Sequence, residues 1–436
     1  MSNNSNHSYV KEVAERGVRA YRLLRSYDDD ACVNLHHGDC VIPPHPVIRN
    51  ALREVADKME IWRETKRGGI SVELNRYRVG SLMIMPELRE AILDDFCKSM
   101  PSTFNRTNAV VHIGGGVTQL VAALFNHFRQ SNDIILMFAP TYGAFLCAAL
   151  TVCSTIRLVK PTSNGQITPE HIEKALDECP EAKGIFLINP NNPTGQYFRK
   201  EELEKIAHLI IERDLIVITD EVVHKLVLDT NNKFISMASI EVDGKSMFER
   251  TITLRSVSKD HGLAALRLGY AIGSEELMNT VRISWFTYAT SFNIDDLAQY
   301  LAFIALSYTP DEYYKFQQDL LRCHSDIVIT FVEDINRRAS YEALKAEQVS
   351  AGMFQIIDLS GLRGKLYNET ILDDDHVLCE LLLQDGKNGV GFFPASCGGY
   401  DPRDMKLRLT LSSPEQDISL GMKRLDDFVQ KVLRFN

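Results

Sequence analysis

The order of apolar and polar positions divides the chain into two regions of different character. Up to about residue 310, short apolar runs recur between stretches with helical spacing. Residues 109–113 (Ala-Val-Val-His-Ile), 134–138 (Ile-Ile-Leu-Met-Phe), 184–188 (Gly-Ile-Phe-Leu-Ile), 216–219 (Ile-Val-Ile-Thr) and 251–254 (Thr-Ile-Thr-Leu) read as buried strands. Helical stretches such as 120–128 separate them, so the pattern predicts βαβ units and a mainly parallel sheet. Beyond residue 310 a long helix starts at Asp311, residues 352–358 and 407–411 read as strands, and 415–434 closes the chain as a helix. That part predicts a smaller α+β unit. At the other end, residues 9–26 carry apolar positions at helical spacing and predict an amphipathic arm, broken by Tyr27-Asp-Asp-Asp30. Residues 33–39 read as a strand entering a glycine turn, and Pro46 and Pro86 open helices. The implied organisation is an arm over 1–30, a small domain from 31–60 and 311–436, and a large domain over 61–310. There is no internal repeat or low-complexity linker.

Composition narrows the function classes. The 436 residues are 45% hydrophobic and 24% charged, enough to bury two cores. Lys and Arg number 48 against 58 Asp and Glu, a net charge of −10, which argues against nucleic acid or an anionic membrane as partner. Any small anion must therefore be held by local groups. No apolar run approaches the roughly 20 residues needed to cross a bilayer. The opening Met-Ser-Asn-Asn-Ser-Asn-His lacks the apolar core of a signal peptide, so the sequons at Asn3, Asn105 and Asn368 carry little weight. Nine cysteines without a CxxC pair suggest reduced thiols and a cytoplasmic location. His36, His37 and Cys40 have no matching second cluster, and no metal site is expected.

The candidate chemistry gathers at strand ends. Ser256-Val-Ser-Lys259 follows the strand at 251–254, and Arg267 comes eight residues after the lysine. A lysine just past the carboxyl end of a strand, with hydroxyls and a guanidinium nearby, suits a Schiff base to an aldehyde that also carries a phosphate. Gly114-Gly-Gly116 between a strand and a helix suits a phosphate on free backbone amides, while its spacing matches neither an ATP nor an NAD fingerprint. Other strand ends carry Tyr142, the stretch Asn189-Pro-Asn-Asn-Pro-Thr-Gly195, and Asp220-Glu221. Each feature alone also fits an ordinary capped loop.

Their order and spacing together resemble the class I/II aminotransferases, the fold type I pyridoxal 5′-phosphate (PLP) enzymes, from about Leu35 to the C-terminus. The resemblance rests on Asn189–Gly195, Asp220-Glu221, Ser256-x-Ser-Lys259 with Arg267-x-Gly-Tyr270, and Leu407-Arg-Leu409. It implies an α/β fold with a large, mainly parallel sheet domain flanked by helices and a smaller α+β domain. It also implies that Lys259 forms the Schiff base and shuttles the substrate Cα proton, that Asp220 pairs with the pyridinium nitrogen, that Asn192 bonds the ring oxygen, and that Tyr142 stacks on the ring. Gly116, Val117, Thr118, Ser256 and Arg267 would hold the phosphate. Arg408, with Gly38 and Asn192 beside it, would bind the substrate α-carboxylate. Tyr77 would reach the phosphate of the neighbouring subunit in a homodimer.

Two positions depart from the family pattern: Val223, with His224 beside it, stands where a tyrosine is usual, and Ala395 where a Pro-Gly pair is common. The activity implied is transfer of an amino group from an α-amino acid to a 2-oxo acid. The departures keep open a PLP-dependent lyase, cyclase, replacement enzyme or oxidase acting on an amino acid, with Asp28–Asp30 a candidate contact for a cationic substrate end. A PLP-binding sensor domain of a transcription regulator would need a basic helix-turn-helix ahead of the fold, and only about 30 residues precede the resemblance.

Overall fold

The computed structural model describes residues 3–26, 32–59, 84–291, 293–384 and 389–434. Seven strands form the main sheet: β1 Ala109–Gly115, β2 Ile134–Phe138, β3 Ile156–Val159, β4 Ala182–Ile188, β5 Ile216–Asp220, β6 Thr251–Ser256 and β7 Leu268–Ser274, in the spatial order β1-β7-β6-β5-β4-β2-β3. From β3 across to β6 every pairing is parallel, whereas β7 runs antiparallel to both β6 and β1. The predicted mainly parallel sheet is present. Two of its strands, β3 and β7, are not visible as apolar runs in the sequence.

Helices cover both faces, so the central strands bury successive residues in opposite directions. Phe186 and Ile218 pack with Leu120 and Phe125 of helix Val117–Ser131 on one face. Their neighbours Ile185 and Val217 pack with Leu203 and Ile206 of helix Lys200–Glu212 on the other. This is why β4 and β5 read as continuous apolar runs.

A second, antiparallel sheet consists of β8 Lys345–Ala346, β9 Phe354–Asp358, β10 Phe393–Pro394 and β11 Lys406–Thr410, in the order β8-β9-β11-β10. Its core joins Leu407 and Leu409 to Val328 of helix Asp311–Ala339 and to Leu425 and Phe428 of helix Glu415–Arg434. The expected strand over 33–39 shrinks to Val33–Asn34; the rest runs as irregular chain into the cleft.

The arm is a helix over Asn3–Ser26, longer than the apolar spacing indicates. Val10, Val13, Ala14, Gly17, Ala20 and Leu24 are buried at steps of no more than four residues and face the body. Asn6 docks it against the edge strand β3, donating to Ile156 O at 3.0 Å and accepting from Leu158 N at 3.1 Å. One side chain thus pairs both backbone groups of an exposed strand edge. Tyr9 Oη donates to Gly399 O at 2.8 Å, and Arg16 meets Asp374 at 3.4 Å. The arm's C-terminal half is thereby held over the main cleft.

Candidate active site

Strand register builds this site. Ile188 of β4 lies opposite Asp220 of β5, which lies opposite Leu254 of β6. The segments leaving these parallel strands therefore meet at one sheet edge, where open α/β sheets bind ligands. On the antiparallel side Gly115 pairs with Leu268, which brings Gly116 against Arg267.

Lys259, Asp220, Asn192, Tyr142, Ser256, Gly116, Val117, Thr118, Arg267, Gly38 and Arg408 all line the resulting cleft. Every site residue picked out from the sequence is there except Tyr77, which lies outside the described residues, as does the Asp28–Asp30 turn. Among the described residues no group of His, Cys, Asp or Glu is arranged to hold a metal, and no helix is long and apolar enough to cross a membrane.

Lys259 Nζ donates to Gly38 O. Burial lowers its pKa; Asp39 and Cys40 oppose that, and Arg408 and Arg267 add to it, so the amine is neutral more readily than an exposed lysine. Asp220 has the opposite problem. Burial, reinforced by Glu221, pushes its pKa up to about 7, although Oδ1 accepts from Val222 N at 3.1 Å. No cation pairs with it among the described residues. A buried carboxylate left in this state is a receptor for a cationic N–H.

The glycine turn is a cradle. Gly116 adopts φ +78 and N-caps helix Val117–Ser131 without a side-chain cap, leaving the first helical amides available. A Cβ at Gly116 would come within 2.6 Å of Arg267 Nη2, so only glycine lets the guanidinium reach over the turn. Arg267 is itself held at φ 50, with Nη1 donating to Ala264 O at 2.9 Å. Ser256 Oγ accepts from Ser258 N at 2.9 Å, which leaves its hydroxyl proton to give. These groups fit the phosphate, pyridine ring and aldehyde of PLP.

Arg408 sits on the central β11, where Ile356 and Phe393 lie beside it. Its guanidinium stands 4.2 Å from the Phe354 ring centroid and 4.6 Å from that of Phe393. Nη1 donates to Asn192 Oδ1 at 3.3 Å and Nη2 to His36 O at 3.0 Å, and Nε finds no partner. A buried guanidinium without a carboxylate is an unfinished ion pair, completed by an anionic ligand.

Beneath the cleft lies a charged network that the sequence did not disclose. Arg255, only 1% exposed, reaches Glu221 Oε2 through Nε at 3.0 Å and Nη2 at 2.8 Å. Ser236 Oγ donates to Glu221 Oε1 at 2.7 Å, and Lys225 Nζ lies 2.6 Å from Asp95. His224 lies between two carboxylates, with Nδ1 3.0 Å from Asp260 and Nε2 3.8 Å from Asp95. Burial alone would raise the Asp95 carboxyl; nearby His224 and the charges of Lys225 and Arg255 outweigh it and hold it well below the ordinary range. The network ties helix Pro86–Cys97, the ends of β5 and β6, and the residue after Lys259 into one unit. His224 thus faces away from the cleft, and Val223 lines it without a hydroxyl.

Tyr21 of the N-terminal helix and Phe354 also border the cleft, and Phe393 packs on Tyr21 beside it; the sequence does not mark them as site residues. The available signal was an aromatic on the polar side of an amphipathic arm, where Val18 and Tyr21 are both exposed.

The family model described as Aminotransferase class I and II matches residues 32–425. The aspartate aminotransferase of Thermotoga maritima is 25% identical over 432 residues, covering 96% of this chain and 97% of that protein. Among solved structures, the aspartate aminotransferase from Rhizobium meliloti superposes with a TM-score of 0.77 at 19% identity, covering 96% of each chain. The aromatic aminotransferase from Pyrococcus horikoshii OT3 gives 0.75 at 20% identity, covering 94% of this chain and 99% of its own. At those identities the structures establish the fold.

Proposed function

The chain belongs to the aminotransferase class I and II family, whose members are PLP-dependent, and from that premise we propose how its own residues carry amino-group transfer from an α-amino acid to a 2-oxo acid. When bound, PLP supplies an aldehyde carbon that takes up an amino group and a ring that accepts the electron pair left at Cα. Lys259 Nζ is the nucleophile that anchors the cofactor; once displaced by substrate it removes the proton from Cα and delivers it to the former aldehyde carbon. Its lowered pKa supports both roles, because only the neutral amine can attack or accept a proton. Asp220 holds the proton on the ring nitrogen. Tyr142, braced edge-on by Phe145 at 5.1 Å, covers one ring face. Asn192 spends its Oδ1 on Arg408, so its Nδ2 is the group available to the ring oxygen.

Val117 and Thr118 amides, Ser256 Oγ and Arg267 hold the phosphate at the Gly116 turn, joined by Tyr77 of a second copy in a homodimer. Exposed Trp285, 71% accessible on helix Ile283–Ser291, supports that interface. Arg408 takes the substrate α-carboxylate, with Gly38 alongside. The buried Arg408 guanidinium, with no carboxylate partner among the described residues and in the same cleft as Lys259, is the observation that carries this reading. We assign the seven-stranded sheet to a large domain over 61–310 and the four-stranded sheet to a small domain of 31–60 and 311–436, with 1–30 as the arm. That none of the nine cysteines forms a disulfide supports a reducing, cytoplasmic location.

The test is a panel of amino acids mixed with the holoenzyme. The expected result is one 2-oxo acid released per site, no ammonia, and an amino group that a second 2-oxo acid then carries away. Ammonia release or oxygen consumption would instead favour the lyase, cyclase, replacement or oxidase chemistry, a reading supported by Val223. Without a phenol there, the ring oxygen lacks one donor to its charged form. Val223→Tyr is therefore expected to lower the pH midpoint of the bound cofactor's absorbance change by about 0.5–1 unit, the worth of one ordinary hydrogen bond. An unchanged titration would mean that position 223 does not face the ring oxygen.

A further inference from the structure

A second cavity of about 130 Å³ adjoins the cleft and shares Tyr21, Tyr142, Asn192 and Arg408 with it. Apart from Thr141, its remaining walls are apolar or glycine, among them Gly17, Val18, Cys147 and Phe393. It lies under the C-terminal half of the N-terminal helix, where Tyr21 and Phe393 pack with ring centroids 5.1 Å apart. A void of this size has room for a side chain on the scale of leucine or phenylalanine, and its lining offers water few partners.

The composition of the helix over this cavity is informative. Gly17 lies in mid-helix, where glycine is less stable than alanine. Packing does not require it: a Cβ there would meet nothing closer than Cys397 Cβ at 4.0 Å, an ordinary contact. What the missing side chain provides is open space beside Arg408. Charge points the same way. Among the described residues lining the two joined cavities, the charged side chains are Lys259, Asp220, Arg267 and Arg408. The roles proposed above occupy all four, so among the described residues of one chain none is left to receive a second carboxylate or an ammonium group.

We propose that this cavity receives the substrate side chain, that the substrate is a bulky uncharged amino acid, aliphatic or aromatic, and that Tyr21 and Gly17 set this specificity. The proposal rests on Arg408 binding the α-carboxylate, which fixes the substrate at the cavity mouth. Tyr21 forms the wall on the arm side: its ring is held by Phe393, and it borders both spaces.

The test measures kcat/KM of the holoenzyme for phenylalanine, leucine, alanine, aspartate and lysine. Phenylalanine or leucine is expected to exceed alanine by at least about 10-fold, as apolar pockets discriminate, and to exceed aspartate and lysine by more. Gly17→Leu fills the cavity and is expected to reduce the phenylalanine-to-alanine ratio at least about 10-fold, mainly through KM. Tyr21→Ala is expected to lower that ratio as well. Retention of the cofactor absorbance band reports that each variant keeps its site. A preference for aspartate or lysine, or a ratio unmoved by Gly17→Leu, would overturn the proposal. Equilibrium binding of α-methylphenylalanine and α-methylaspartate, which lack a Cα proton, reads the cavity without turnover. Selective binding without reaction would count against the proposed chemistry alone; equal binding would count against the cavity.

Discussion

Replacing Lys259 by alanine is expected to lower kcat by at least about 10⁴-fold, the upper range for a lost general acid–base group, because the covalent anchor is lost with it. The variant should still retain cofactor. Gly116, Val117, Thr118, Ser256, Arg267 and Asp220 surround the cleft independently of the lysine, so phosphate and ring contacts survive. Two consequences separate this from general damage. Added ethylamine should restore part of the rate, in proportion to its neutral fraction, because what is missing is an amine at one place. Lys259→Arg should be as inactive as alanine, since a guanidinium stays protonated and cannot accept the Cα proton. Activity above about 1% of wild type in Lys259→Ala, against an expected loss of this size, would remove the lysine from the chemistry.

Breaking the network below the cleft should cost stability. Arg255→Met leaves Glu221, 0% exposed, without its cation, and Asp95 loses one of the charges that keep it ionised. Truncating one partner of a buried pair typically costs about 3–5 kcal/mol, far more than an exposed bridge. Chemical denaturation of the holoenzyme should show a loss of that order. Glu221→Gln alone should also destabilise, yet the double variant should lose less than the sum, because no uncompensated charge remains between the two positions. Additive losses, or a change under about 1 kcal/mol in Arg255→Met, would show that Ser236 and Lys225 carry the network without this pair.

How much of this was legible in the sequence follows from how local each signal is. Asp220, Lys259 and the Asn189–Gly195 stretch stand directly after apolar strand runs, and parallel register then brings the strand ends level. Their position follows from a few adjacent residues. Arg267 and Gly116 needed one further fact, the antiparallel pairing of β1 with β7. β7 escaped notice because it carries Gly269 and Gly273 instead of a β-branched run. A Cβ at Gly269 would meet Val117 N at 2.6 Å, so close approach to the helix start overrides strand propensity there. β3 was hidden by its length and by Arg157 at the sheet edge.

The arm's amphipathic pattern predicted a helix but not its docking place. That depends on Asn6 meeting β3 about 150 residues away, a pairing that periodicity cannot reveal. The network is similarly non-local, since Arg255 joins Ser99 and Glu221 across long stretches of chain. At Val223 and His224, one residue lines the cleft and the next turns to Asp260, so an oddity in the sequence became a definite gap in the site.

The central claim is that the amine at position 259 carries the cofactor aldehyde. Borohydride reduction of the holoenzyme, followed by peptide mapping, tests it directly. The account predicts one pyridoxyl group per chain, on the peptide containing Lys259. A label on another lysine, with Lys259 unmodified, would contradict it.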